Sequence, residues 1–271
     1  MNADLRLGLA AWLEWCAAAG VDSSLDDRSL GVYAPVAAPP ADPAPPPFSP
    51  RAPAPAQPSL LTPEGDRVRT AAALAQGCRS LGELARVLEA FEGCSLKDTA
   101  NSLCFADGSG DARVMLVGEA PGAEEDRQGR PFCGPSGRLL DRMLGTIGLD
   151  RRHVWITNMI YWRPPGNRTP TPAEIALCQP FLERQIELLR PGYIVFLGGI
   201  AARALLNRKE GITRLRGQEF AYGGIPVLAM FHPAYLLRQP LQKKLAWRDL
   251  VTLRKALEER GLFPATAIDS P

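Results

Sequence analysis

The chain has 271 residues, an apolar fraction of 46% and a formal net charge of +2. This length suits one substantial core, or one core plus an appendage, and the small net charge means that a nucleic-acid role must depend on a local basic patch. Six scattered cysteines without a CxxC pair exclude a small disulfide scaffold, and no apolar run approaches the ~20 residues that span a bilayer.

The N-terminal quarter of the sequence is predicted to lie outside the main domain. Residues 4–20, within a first segment at 1–34, have the apolar spacing of an amphipathic helix and lack the features of a secretory signal, so we expect a cytoplasmic protein with reduced cysteines. Val36–Ser59, within a linker at 35–61, is nearly all Pro, Ala and small polar residues, which favours a disordered tether. The helix then either docks a protein partner or folds back weakly onto the main domain.

Residues 62–263 alternate short β-rich runs with helical patterns, and 264–271 are expected to form a flexible tail. The predicted strands are Val114–Val117, Val154–Ile160, Tyr193–Leu197 and Val227–Phe231. The predicted helices are Asp66–Gln76, Ser80–Phe91, Gly137–Ile147, Pro172–Leu189, Ile200–Leu206 and Leu241–Arg260. This alternation predicts a three-layer α/β/α fold with a central four-stranded parallel sheet, and ligands bind such sheets at the carboxyl ends of the strands.

Polar side chains follow three of these strands. Glu119 lies in a Gly-Pro turn after the first strand, Asn158 ends the second, and His232 follows the fourth. Taken singly, they would be interpreted as an acidic surface loop, a turn-forming amide and a packed imidazole. Because parallel strands end at one edge of a sheet, however, a carboxylate, an amide and an imidazole are expected to meet there.

Two further residues fit a nucleobase site at the same edge. Phe132 lies between a proline and a glycine, where its ring either packs locally or stacks on a base, which is worth about 1–3 kcal/mol. Ser136 lies in the small-residue start of the next helix, where a backbone phosphate would suit the helix N-terminus. The combined pattern predicts a site the size of one base.

Four stretches carry a resemblance to a known family. GEAPGAEEDRQGRPFCGPSGRLLDRML, ITNMIYWRPPGNRTPTPAEIALCQPFL, VFLGG and HPAYLLR occur in this order and are similar to the motif series of family 4 uracil-DNA glycosylases, over about residues 91–250. The resemblance implies a DNA-repair enzyme that flips uracil out of DNA and hydrolyses its N-glycosidic bond, leaving an abasic site. It implies uracil-containing DNA as substrate, and we expect a monomer.

The resemblance assigns roles to residues of this chain. It implies that Glu119 positions the attacking water and that His232 stabilises the charge developing on uracil O2. It implies that Phe132 stacks on uracil, Asn158 selects it over cytosine, and Glu125 lies near C5, where it excludes the methyl group of thymine. The remaining predicted substrate-binding residues are Gly118, Ala120 and Gly122.

The predicted DNA contacts surround this site. They are Ser136, Arg216, Arg238, Lys243 and Lys244. For each lysine, scattered solubilising charge is an equally good interpretation.

The sequence departs from the family at its iron–sulfur centre. Family members bind a 4Fe–4S cluster through four cysteines, and the corresponding positions here are Phe91, Cys94, Trp162 and Cys178. The other cysteines do not fit the family spacing. We therefore expect no cluster, no metal and no other cofactor, with the two aromatic rings forming a small apolar core beside two buried thiols.

Three functions remain open at this level. They are a hydrolytic glycosylase, a non-catalytic uracil- or abasic-DNA binding protein on the same fold, and a generic nucleotide-binding module. The module would need a phosphate fingerprint that the sequence lacks, and a pure binder would not need Glu119. One relative of the family traps DNA covalently through a histidine after the recognition strand, but Tyr161–Thr171 contains no histidine. The hydrolytic glycosylase is favoured.

Overall fold

The computed structural model describes residues 63–263. These residues include almost all of the predicted main domain. The predicted N-terminal helix, the Pro-rich linker and the C-terminal tail lie outside the described residues.

The elements alternate along the chain much as the sequence predicts. Helices α1 to α9 are Pro63–Gly77, Leu81–Ala90, Ala123–Gln128, Pro135–Gly145, Pro172–Leu189, Gly199–Leu206, Ile212–Leu215, Pro233–Arg238 and Lys243–Glu259. Strands β1 to β6 are Asp107–Gly108, Val114–Gly118, Val154–Asn158, Tyr193–Leu197, Glu219–Tyr222 and Ile225–Met230. No helix within 63–263 is long and apolar enough to cross a membrane.

The strands form one sheet in the order β1-β3-β2-β4-β6-β5. The four inner strands are parallel, which confirms the predicted core of the sheet. Two antiparallel edge strands, β1 and β5, extend it beyond the prediction. β1 has only two residues, and β5 alternates between exposed and half-buried residues. Neither has the continuous apolar run that identifies a buried strand in the sequence.

Each face of the sheet is covered by its own hydrophobic core. Met115 and Val117 of β2 pack into the core beneath α1, α2, α5 and α6. Val114 and Leu116 point to the opposite face and pack beneath α4, α8 and α9. Because successive side chains of a strand alternate between faces, the two cores establish the three-layer α/β/α architecture.

The chain order places a ligand site at the end of β2. From β2 the chain proceeds to β3 on one side and then returns to form β4 on the other side. Crevices at such reversals, outside the carboxyl ends of the strands, are the usual ligand sites of open α/β sheets. Glu119 directly follows β2 at this point.

Candidate active site

A cavity of about 460 Å³ opens at the carboxyl ends of the parallel strands. We call it the strand-end cavity. Glu119, Phe132, Asn158 and His232 all line it, so the four side chains predicted to meet do share one space. The predicted neighbours Ala120, Gly122, Glu125, Ser136 and Arg238 also line it. Its size lies within the range of small-ligand pockets.

Asn158 presents an unsatisfied acceptor in this cavity. Its residue is 1% exposed, and its Oδ1 atom has no hydrogen-bond partner in the protein. Gly118 pairs with Asn158 in the sheet register, and a Cβ at Gly118 would lie 2.3 Å from that Oδ1 atom. A buried unpaired acceptor costs about 1–3 kcal/mol. The arrangement therefore suits a ligand that donates a hydrogen bond at this point.

The Phe132 ring is aimed by a strained backbone. Its φ is 52°, in the left-handed region that non-glycine residues rarely adopt. Arg151 donates a hydrogen bond to its carbonyl oxygen, and Gly137 lies so close that a Cβ there would be 1.6 Å from that oxygen. The ring stacks on the His232 imidazole at a centroid distance of 5.3 Å and an interplanar angle of 29°. The neighbours thus fix a conformation that brings the ring against the cavity.

His232 caps α8 and is held in one tautomer. Its Nδ1 atom accepts a hydrogen bond from the Ala234 N–H at 3.1 Å, so the neutral ring carries its proton on Nε2. Burial, with a smaller contribution from the charge of Arg238, lowers the pKa of His232 to about 4. At neutral pH the imidazole is therefore an uncharged donor through Nε2.

Glu119 is the half-buried carboxylate of the cavity. Burial raises its pKa above the ordinary value of 4.5, and the positive charges of Arg203 and Arg238 oppose that rise. Its backbone carbonyl accepts a hydrogen bond from the Ile160 N–H at 3.1 Å. The turn after β2 is therefore tied to the chain that follows β3, which holds Glu119 beside Asn158.

Glu125 joins two turns of the cavity wall. Its Oε1 atom accepts from the Gly134 N–H at 2.9 Å, and its Oε2 atom accepts from the Gly122 N–H at 3.2 Å. A Cβ at Gly122 or Gly134 would lie 2.8 Å or 3.1 Å from a carboxylate oxygen. Both oxygens of Glu125 thus bind backbone amides and hold the segments before α3 and α4 together.

The predicted DNA contacts divide into two groups. Arg238 is exposed beside the cavity, Ser136 lines it, and Lys244 is exposed at the start of α9. Arg216, in contrast, pairs with the buried Asp249, with Nε 2.9 Å from Oδ2. Lys243 is only 7% exposed, and burial lowers its pKa.

Arg216 and Lys243 are therefore less exposed than Arg238 and Lys244, and their contact with DNA stays a prediction. The Arg216 guanidinium also donates to the Leu245 carbonyl at 2.8 Å and lies over the Phe231 ring, so it braces the interior. Lys243 belongs to the buried face of α9. Sequence charge alone does not show which side of an element faces the solvent.

Sequence reasoning missed one wall of the cavity. Pro164, Asn167, Arg168 and Thr169 line it from the loop between β3 and α5. Gly166 and Asn167 adopt φ values of 65° and 55°, and Arg168 binds both carboxylate oxygens of Glu174 at 2.9 and 2.6 Å. The Pro-Pro-Gly-Asn turn soon after Asn158 was the available sequence signal.

The four positions that the resemblance assigns to cluster ligands all lie in the hydrophobic core under α1, α2, α5 and α6. We call Phe91, Cys94, Trp162 and Cys178 the aromatic–thiol core; none is more than 5% exposed, and all belong to one hydrophobic cluster. The Phe91 ring contacts Phe181 at 5.3 Å, and the Cys178 thiol hydrogen-bonds to Cys94, which lowers the pKa of Cys94.

These residues do not fit a 4Fe–4S cluster. Such a cluster normally needs four thiolates, and two of the four positions hold buried rings. Cys78 and Cys104 hydrogen-bond elsewhere, to the carbonyls of Leu74 and Glu125. Across the part of the chain that the structure describes, no group of three or more His, Cys, Asp or Glu side chains is arranged to hold a metal.

Comparisons with known proteins identify the family of this chain. Residues 105–251 match the Uracil DNA glycosylase superfamily. The chain is 39% identical over 172 residues to the Type-4 uracil-DNA glycosylase of Thermotoga maritima, a match that covers 62% of this chain and 90% of the relative. It is 40% identical over 169 residues to that of Archaeoglobus fulgidus, covering 59% of this chain and 85% of the relative. A Type-5 uracil-DNA glycosylase of Pyrobaculum aerophilum is 35% identical over 143 residues, covering 46% of this chain and 63% of the relative. The chain therefore belongs to the uracil-DNA glycosylase superfamily, within its Type-4 family.

Proposed function

We propose that this protein is a uracil-DNA glycosylase, which extrudes uracil from DNA and hydrolyses its N-glycosidic bond to leave an abasic site. The single observation that carries the proposal is the strand-end cavity, where the unpaired Asn158 Oδ1 atom lies among a ring face, a neutral imidazole and a carboxylate. Relatives that match over 85–90% of their length are named for this activity.

Base selection rests on Asn158 and Phe132. The Asn158 amide accepts the N3–H of uracil at Oδ1 and donates to O4, whereas cytosine presents an acceptor and an amino group at these positions. Stacking on Phe132 contributes about 1–3 kcal/mol. This binding offsets the few kcal/mol that extruding the base from the duplex costs.

Bond cleavage rests on His232 and Glu119. Uracil departs as an anion, and the Nε2–H of neutral His232 donates to O2, where the charge develops. Glu119 orients the attacking water and stabilises the positive charge that the sugar gains. The nearby charges of Arg203 and Arg238 favour its ionised form.

Glu125 acts as a positioning residue. Because both of its oxygens accept backbone hydrogen bonds, it excludes the methyl group of thymine through the turns that it fixes, rather than as a free carboxylate. DNA outside the cavity is contacted by Arg238, Ser136 and Lys244. The charge of Arg238 acts on both Glu119 and His232.

The reaction needs no 4Fe–4S cluster in this protein. Hydrolysis here requires only a donor, a carboxylate and water. The aromatic rings of Phe91 and Trp162 occupy positions where relatives of the family carry ligands, and burying each contributes about 1.5–3 kcal/mol. We propose that packing in the aromatic–thiol core replaces the cross-link of the cluster.

Release of free uracil tests the proposal against the non-catalytic alternative. An oligonucleotide with one uracil is incubated with excess protein, and the matched control carries thymine at that position. We expect uracil release and alkali-sensitive abasic sites from the first oligonucleotide only. Tight binding of uracil-containing DNA without release would instead establish the non-catalytic function.

A further inference from the structure

We propose that Arg168 binds a backbone phosphate beside the extruded uridine, and that Glu174 is the positioning residue that holds its guanidinium at the rim of the strand-end cavity. This inference rests on the proposed function and deepens it, because it assigns a contact to one of the two phosphates that flank the extruded nucleotide. Neither residue is among the site residues that the sequence predicts. Of the described residues that line the cavity, only Arg168 and Arg238 carry a positive charge at neutral pH.

The two arginines reach the cavity from opposite faces of the sheet. Ser136 and Arg238 belong to α4 and α8, which cover one face, whereas the loop with Arg168 leads into α5, which covers the other face. A nucleotide extruded into the cavity carries one phosphate on each side of its sugar, so its strand needs a contact at both rims. Ser136 and Arg238 supply one contact, and Arg168 supplies the other.

The Arg168 guanidinium is already fixed in the free protein. Its Nη1 and Nη2 atoms donate to the two carboxylate oxygens of Glu174 at 2.9 and 2.6 Å, and Nη1 also donates to the Thr169 carbonyl at 3.2 Å. Within residues 63–263, the Nε–H and the second Nη2–H have no acceptor, and the side chain is 44% exposed. These two hydrogens form a second fork, and a phosphate accepts two parallel hydrogen bonds from such a fork.

Glu174 is itself held in place by the first turn of α5. Its side chain is 10% exposed, and its Oε2 atom also accepts a hydrogen bond from the Thr171 N–H at 2.7 Å. The Thr171 hydroxyl accepts in return from the Glu174 N–H at 3.3 Å, which completes a capping box. Because Arg168 is bonded to a residue locked on an 18-residue helix, its guanidinium loses little conformational entropy when it binds a phosphate.

The backbone before Arg168 turns sharply at the cavity wall. Gly166 and Asn167 both have positive φ values, 65° and 55°, and Arg163 donates from Nε to the Asn167 Oδ1 atom at 2.8 Å. Asparagine tolerates the left-handed conformation better than most residues, yet it still costs free energy there. Strain of this kind persists where the surrounding contacts fix it, and such positions cluster at ligand sites.

The experiment measures the coupling between Arg168 and single phosphates. Full-length protein is titrated onto an oligonucleotide with one 2′-fluoro-2′-deoxyuridine, whose fluorine opposes positive charge on the sugar and so keeps the base attached. The phosphate on either side of this nucleotide is replaced, one at a time, by an uncharged methylphosphonate. We expect each replacement to weaken wild-type binding roughly 10-fold, as expected for a lost charge-assisted hydrogen bond. Arg168→Gln should bind the unmodified DNA roughly 10-fold more weakly and lose no further affinity with one of the two methylphosphonates.

Two further variants complete the design. Arg254→Gln is the matched control, because Arg254 is 49% exposed, pairs with Glu258 and does not line the cavity. Both methylphosphonates should weaken its binding as much as they weaken that of wild type. Glu174→Gln tests the positioning role. It removes a negative charge near the phosphate, so a carboxylate that only screened Arg168 would predict tighter binding, whereas a positioning residue predicts weaker binding and loss of the same coupling.

Wild-type affinity of Arg168→Gln, or equal losses from both methylphosphonates in this variant and in wild type, would overturn the inference. Tighter binding by Glu174→Gln would overturn the positioning role. If Arg168→Gln does not fold, Arg168→Lys takes its place, since it keeps the charge without the fork, and undiminished coupling would contradict the proposal equally. Uracil release is measured separately on unmodified uracil-containing DNA. Release without coupling refutes this inference alone, and coupling without release refutes the glycosylase activity alone.

Discussion

The strand-end cavity and the aromatic–thiol core are neighbouring regions that relate to the family in opposite ways. The cavity keeps the carboxylate, ring, amide and imidazole that the resemblance requires. The core has two thiols and two buried rings, those of Phe91 and Trp162, at the positions that the resemblance assigns to cluster ligands. A side chain that touches the substrate needs a defined chemistry. A cross-link inside the fold mainly stabilises it, so side-chain packing with a similar stabilising effect can take its place.

The two regions are connected through a short piece of chain. Asn158 faces the cavity, Trp162 lies in the core, and Pro164 lines the cavity again. The aromatic–thiol core therefore supports the wall that carries Asn158 without contributing a reacting group. If this division is correct, substitutions in the cavity should lower the catalytic rate with little effect on stability. Substitutions in the core should lower stability with little effect on the catalytic rate.

The largest catalytic effect is expected from His232→Ala. Removing a donor aimed at developing negative charge costs on the order of 10²–10³ in rate. Single-turnover uracil release measures the loss, with circular dichroism as the folding check. His153→Ala is the matched control, because His153 caps a turn at Asp150 away from the cavity. A rate for His232→Ala within a few-fold of wild type would show that the cavity imidazole is not a catalytic group.

Asn158→Ala should lower the rate of uracil release by roughly 10–100-fold. Removing one partner of a buried hydrogen bond costs about 1–3 kcal/mol. The substitution should also narrow the preference for uracil over cytosine. Competition between the two bases in otherwise identical oligonucleotides provides the measurement. Unchanged preference would show that Asn158 does not face the base.

Trp162→Ala should act mainly on stability. Truncating a buried tryptophan costs roughly 3–5 kcal/mol, and Trp162→Phe should cost less because a ring remains. Urea unfolding gives the free energies, and uracil release per folded molecule should stay near wild type for Trp162→Phe. A stable Trp162→Ala protein with lost catalysis would contradict the division between the two regions.

The pH dependence of the rate distinguishes the two catalytic groups. Burial raises the pKa of Glu119 above 4.5, so the active carboxylate is lost as the pH falls through that raised pKa. His232, with a pKa of about 4, stays neutral over most of this range. Arg203→Gln removes a positive neighbour of Glu119 and should move the acidic limb to higher pH. If the acidic limb of the pH–rate profile does not move, a group other than Glu119 causes it.

His232 also links stability to pH. The unfolded imidazole titrates near its ordinary value of 6.5, whereas the folded group does so near 4. Protonation therefore favours the unfolded chain, and this contribution to stability is present above pH 6.5 and is lost as the pH falls toward 4. Urea unfolding of wild type and His232→Ala across this range should show a steeper loss for wild type.

The smallest effects are expected at the DNA contacts. Arg238→Gln should weaken DNA binding and reduce the salt slope of log K by about 1, as expected for one lost phosphate contact. Arg216→Gln is the matched arginine control, and it should lower stability because it leaves the buried Asp249 unpaired. Equal effects of both changes on the salt slope would support Arg216 as a DNA contact.

Particular residues show why the sequence predicts some features and not others. The inner strands are short but mostly apolar runs, and the carboxyl ends of parallel strands then place Glu119, Asn158 and His232 at one edge. Arg216 is brought to Asp249 by tertiary packing across 33 residues, which local charge does not reveal. Glu125 binds the Gly134 amide, a contact that depends on the path of an intervening turn.

The central claim is that the strand-end cavity hydrolyses the N-glycosidic bond of uracil in DNA. Packing in the aromatic–thiol core replaces the cross-link that an iron–sulfur cluster would provide. Single-turnover uracil release and iron content are measured on the same anaerobically purified preparation, before and after treatment with a chelator. We predict full release from protein that carries far less than stoichiometric iron. Release that rises and falls in proportion to bound iron would contradict the account.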